Sequence, residues 1–174
     1  MRSLLFALAA TVAIAGSTFA ADTYKLDGEN TKIEFTGTKK DGKHVGGFKK
    51  VSGSATDDKG WAIKLDIETE SLYSDDEKLT KHLLSADFFG VKDNPKASFA
   101  TTKIEKGDKG YTVTGTLTLL GKSKEISFPA EITTGETFKL KAEFKIDRTE
   151  FGMTYGEGKV DKEVAIKVDV AAKK

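Results

Sequence analysis

The chain has 174 residues, no cysteine, 28 basic and 27 acidic side chains, and a formal net charge of +1. So even a balance excludes the electrostatic footprint of a nucleic-acid binder or of a protein held on an anionic membrane. The lack of cysteine excludes disulfides and the acylated residue of a bacterial lipoprotein.

Residues 1–20 stand apart from the rest. Arg2 gives a positive start, residues 4–16 an apolar run, and Thr18-Phe19-Ala20 small residues at cleavage spacing, the pattern of a secretory signal peptide. The run falls short of the ~20 apolar residues that a spanning helix needs, so no stable membrane insertion is expected. Cleavage near Ala20 leaves residues 21–174 as one domain, in which the loss of Arg2 brings the basic count down to the 27 of the acidic residues. A periplasmic or secreted protein is expected, and its zero net charge leaves a homodimer open.

Beyond the leader, turn signals recur at Asp27-Gly28, Asp41-Gly42, residues 57–60, residues 106–110, Gly121 and Thr134-Gly135. Between them apolar and polar residues alternate with a period of two, as in half-buried strands. The runs are Ile33 and Phe35, a weaker stretch over 45–55, Trp61 to Ile67, a weaker stretch over 97–104, Val113 to Leu119, Ile126 to Ile132, Phe138 to Ile146, and Val164 to Val170. The phase changes between Phe99 and Ile104, which predicts a bulge. Eight strands with one apolar face each are best satisfied by an antiparallel sheet closed on itself, a two-sheet sandwich being the rival. An eight-stranded barrel either fills its interior with side chains or holds one small ligand.

Residues 79–99 break the alternation. Ser74 and Glu77 form a capping-box pattern that predicts a short helix from Asp75, with Leu79 and Leu83 on one face and His82 at its border. Asn94-Pro95 ends the segment. In an up-and-down meander this insert shares one barrel end with residues 39–44, Gly121-Lys122 and residues 148–159. Gly37, Gly53 and Gly115 fall on the inward phase and mark either bends or open space.

The pattern Leu79-Thr80-Lys81-His82-Leu83, Asp87-Phe88-Phe89, Pro95 and Phe99 resembles the YceI-like family of exported lipid-binding proteins. Gly47-Phe48 with Gly53, residues 114–118, Ile126-Ser127-Phe128-Pro129-Ala130 and residues 144–152 resemble it in the same order. Leu120, Asp147 and Glu150 depart from the residues common there. The resemblance implies a lipocalin-like antiparallel barrel of eight strands, with the helical insert between strands three and four. It also implies binding, storage or transport of a polyisoprenoid or quinone-like lipid in the barrel, without a cofactor and without catalysis. The alternative is a structural or stress-related interaction protein with a packed barrel and no ligand.

On that reading Phe35, Phe88, Phe89, Phe99, Leu117, Phe128, Phe144 and Phe151 are candidates for the apolar wall. Such a wall gains roughly 25 cal/mol for each square ångström of ligand removed from water. His82, Arg148 and Tyr155 are candidates for the mouth. Arg148 either meets a headgroup or ties down carbonyls of the insert. His44 and His82 lack the spacing of a compact metal motif, and are expected to be a solvated turn residue and a backbone tie. Ser85, His82 and Asp87 suggest a hydrolase, but lie so close along the chain that they read better as the end of a helix.

Overall fold

The computed structural model describes residues 22–58 and 60–174, and the expected leader lies outside the described residues. The strands are β1 (Asp22–Leu26), β2 (Lys32–Lys39), β3 (Gly42–Phe48), β4 (Val51–Asp57), β5 (Trp61–Glu68), β6 (Leu72–Ser74), β7 (Lys96–Gly107), β8 (Gly110–Leu119), β9 (Lys122–Thr133), β10 (Thr137–Asp147) and β11 (Val160–Lys173). One helix, α1 (Glu77–Leu84), lies between β6 and β7.

Both β1 and β2 pair with β11, β4 and β3 pair with β1 and β2, and β5 and β6 pair with β4 and β3. These six segments are therefore three long strands, each interrupted once. With β7 to β11 they make the expected eight-stranded antiparallel barrel, each strand beside its predecessor and the last closing on the first. Strand parity then puts residues 40–41, 75–95, 120–121 and 148–159 at one end.

The interruptions are hydrogen-bonded. Where the first strand breaks, the Thr31 hydroxyl donates to the Ala171 carbonyl and accepts from its N–H, both at 3.2 Å, while Asp27 N–H donates to the same carbonyl. Where the second breaks, Lys49 and Lys50 donate to the carbonyl and hydroxyl of Ser71. No buried side-chain nitrogen or oxygen among the described residues lacks a partner.

The phase change in β7 is a register shift between Thr101 and Lys103 opposite β8. The three inward glycines differ in role. Gly53, with φ +149°, lies so close to the Lys64 carbonyl that a side chain would collide with it, so it marks a close approach of β4 to β5. A Cβ on Gly115 would meet the Phe99 ring at 2.6 Å, whereas nothing stands within 4 Å of one on Gly37, which faces open space.

The helix starts differently from the expectation. Asp76 is its N-cap and accepts from Leu79 N–H at 2.7 Å, so the first helical residue is Glu77, which pairs with Lys81 at 2.9 Å. The Ser74 hydroxyl instead bonds that of Thr80 at 2.8 Å and fastens the insert to β6.

Candidate functional site

The interior is filled at one end and hollow at the other. At the filled end Tyr24, Trp61 and Phe138 meet with ring centroids 4.7–6.3 Å apart, and the Tyr24 hydroxyl donates to the Gly135 carbonyl. The register sets Tyr24 opposite Ala55 and Phe138 opposite Ala172. Both alanines are fully buried, and the rings occupy the space that they leave.

Above a floor of Ile63, Leu140 and Val170 lies a cavity of about 310 Å³. That is near the lower bound of ordinary ligand pockets. Phe35, Phe99, Leu117, Phe128 and Phe144 form its walls, and Phe88 and Phe89 reach it from the insert. Phe35 and Phe99 leave the lumen open because glycines receive them: Cβ atoms on Gly46 and Gly115 would overlap their rings.

Phe151 is the exception among the expected wall residues. It is 1% exposed and belongs to the packed core outside the lining. The 3-10 turn Arg148–Phe151 replaces the two-residue period of β10 with one of three, and so takes Phe151 out of the inward series. Sequence reasoning missed Phe48 and Met153, which line the cavity. Phe48 packs against Phe35 and Phe89, and the Gly46-Gly47 pair directly before it, which interrupts the alternation, hid its phase.

The ionisable groups of the lining are Lys39, His44, His82, Arg148 and Tyr155, all from the end that carries the insert. His44 bonds Asp75 at 3.0 Å and His82 bonds Asp87 at 2.9 Å, so neither is the free turn residue or the backbone tie expected of it. The Val45 N–H, and then the His44 imidazole, hold the Asp75 carboxyl below its usual range. Rings from two segments meet at the rim: Tyr155 stands edge-on to His82 at 4.7 Å and tilted to Phe88 at 5.3 Å. Among the described residues, no three His, Asp or Glu side chains converge as a metal site would require.

Arg148 is 4% exposed and donates to the carbonyls of Met153, Tyr155, Val160 and Asp161. It therefore ties down its own loop and not the insert. The planar fork suits this role, because it reaches several carbonyls that a single ammonium cannot span. Ser85 caps the C-terminal end of α1, its hydroxyl donating to the His82 carbonyl at 2.7 Å and not to the imidazole.

A YceI-like domain is matched over residues 24–172. The chain belongs to the YceI-like family. Among its relatives, a UPF0312 protein of Serratia proteamaculans is 33% identical over 90% of this chain and 88% of its own length. Another, from Enterobacter sp. (strain 638), is 32% identical over 97% and 95%. Among solved structures, Burkholderia cenocepacia BcnA aligns with a TM-score of 0.77 at 26% identity, over 85% of this chain and 99% of that one. A polyisoprenoid binding domain from Saccharophagus degradans, implicated in plant cell wall breakdown, shares the fold at 12% identity and a TM-score of 0.69, over 86% and 97%.

Proposed function

We propose that this YceI-like protein binds a long apolar molecule, a polyisoprenoid or quinone-like lipid, with its tail in the hollow end of the barrel, and carries or stores it without chemical change. The carrying observation is an apolar cavity whose ionisable groups all stand at the end that carries the insert. A tail buried there gains the hydrophobic free energy of its whole length, while a polar head stays where hydrogen-bonding groups and water are. The fold shared with a polyisoprenoid binding domain supports the same ligand class.

Binding fits the site better than catalysis. Nucleophilic chemistry needs a hydroxyl activated by a base, and the Ser85 hydroxyl is spent on a main-chain carbonyl. The open lumen also favours a carrier over a packed barrel that serves only as an interaction module. Export to the periplasm or the medium belongs to the proposal, supported by the leader pattern of residues 1–20.

Organic extraction of the protein purified from its native host, followed by mass spectrometry, tests the reading. An isoprenoid-derived or comparably long lipid in stoichiometric amount is expected. No extractable lipid, combined with no affinity for added isoprenoid alcohols or quinones, would refute it.

A further inference from the structure

The barrel wall is not uniformly joined. Strands β9 and β10 pair only through Glu131, Ile132 and Thr133 with Lys141, Leu140 and Lys139, next to the filled end. Their other flanks are fully paired, β9 to β8 from Lys122 to Ala130 and β10 to β11 along its whole length. Among the described residues, no ladder pair joins 122–130 to 142–147. The hollow half of the wall therefore contains a seam.

Pro129 accounts for where the seam begins. The ladder with β8 passes through Thr112 and Pro129 without a break, so the proline nitrogen, which has no hydrogen to donate, faces β10. Continuing the β9–β10 register would set Ala130 opposite Ala142, the first pair that is missing, and Pro129 opposite Glu143 directly after it. From there on β9 behaves as an edge strand, the position in which proline is tolerated.

What closes the seam is apolar. The rings of Phe128 and Phe144 stack across it with centroids 4.1 Å apart and planes at 7°, and both line the cavity, as do Ile126 and Ile146 on either side. The mouth is built otherwise. There the insert is fastened by Ser74 to Thr80, by Asp75 to Val45 and His44, and by the Thr69 hydroxyl to the Asn94 carbonyl at 2.6 Å. The end is roofed by hydrogen bonds and the side by one aromatic stack.

We infer that the lipid tail enters and leaves sideways, between β9 and β10, with the Phe128–Phe144 stack as the gate. This rests on the lipid-binding reading. Parting the two strands in the hollow half breaks no ladder pair, whereas lifting the insert breaks several hydrogen bonds, so the side route has the lower barrier. An apolar tail passing there replaces one ring's contact with the other by its own.

The chain has no cysteine, so a pair introduced across the seam is unambiguous. Ser127 and Lys145 are both exposed and fall opposite each other in the continued register. In Ser127→Cys/Lys145→Cys, joined by a disulfide or a short bis-maleimide, stopped-flow uptake of N-phenyl-1-naphthylamine and its displacement by farnesol are measured before and after joining. A second variant, Pro129→Val, restores the missing donor. Both changes are expected to slow uptake and release by an order of magnitude or more while leaving equilibrium affinity unchanged, and reduction of the disulfide is expected to restore the rates. Unchanged rates in the joined, folded protein would overturn the side route and leave the mouth as the entrance. No binding by the unjoined protein would overturn the lipid-binding reading, and the route with it.

Discussion

The two ends of the barrel are built from the same strands and the same residue types, yet one is solid and the other hollow. At the solid end Tyr24 and Phe138 lie opposite alanines and project across the lumen. At the hollow end Phe35 and Phe99 lie over glycines and fold back along the wall. Opposite an alanine a ring fills the lumen that the small side chain leaves, whereas over a glycine it sinks into the sheet. The presence of aromatic residues therefore does not decide whether an eight-stranded barrel fills, and the smallest residues beside them do.

The largest test of this contrast compares Phe138→Ala with Phe144→Ala in urea unfolding. Phe138 is fully buried, so its truncation is expected to cost about 3–5 kcal/mol. Phe144 already borders empty space, and about half that loss is expected there. Equal losses would mean that the hollow end is as well packed as the solid one.

Arg148 supports the rim through four main-chain carbonyls. Arg148→Lys keeps the charge but not the fork, and is expected to destabilise by about 2–3 kcal/mol, with the loss seen first as faster amide exchange over residues 152–160. A variant of parental stability and impaired lipid affinity would move Arg148 into the binding role.

A smaller effect is expected at the tight turn between β8 and β9, where Leu120 has φ +48°, a conformation costly for a side chain of its type. Leu120→Asn should raise stability by about 1 kcal/mol without altering probe binding.

Acid should act at the solid end. There Asp27 pairs with Lys173 at 2.6 Å, tying the segment after β1 to the end of β11. The Lys173 ammonium, and then the Asn30 amide, lower the Asp27 pKa from 3.8 to about 2. A lowered folded-state pKa contributes stability that is complete above 3.8 and lost as pH falls toward 2. In unfolding curves across this window, Asp27→Asn is expected to be less stable than the parent above the upper limit and to converge with it at the lower one.

Much of this was legible in the sequence, because the alternation from Trp61 to Ile67 and from Phe138 to Ile146 states which side chains face inward. Strand parity, which needs only the count of eight, then placed the insert beside Arg148. What stayed hidden depends on contacts between distant residues. The segment β1 is five residues long and ends at the Asp27-Gly28 turn that read as a boundary, although it continues the first strand across a kink. Nothing local shows that Arg148 turns to its own loop, that Asp76 rather than Ser74 caps α1, or that Phe151 leaves the inward series. Pro129 was a readable signal of an edge, but lay inside an otherwise regular run.

Gly37 offers the most direct test of the central claim that the hollow end is a binding cavity. It lines the cavity, and nothing lies within 4 Å of where its side chain would begin. In Gly37→Leu the added side chain fills space without collision, and a strand glycine is removed. The account predicts thermal stability equal to or above that of the parent, by about 0.5–1 kcal/mol, together with loss of saturable binding of N-phenyl-1-naphthylamine and farnesol. A folded Gly37→Leu protein that binds both as the parent does would contradict it.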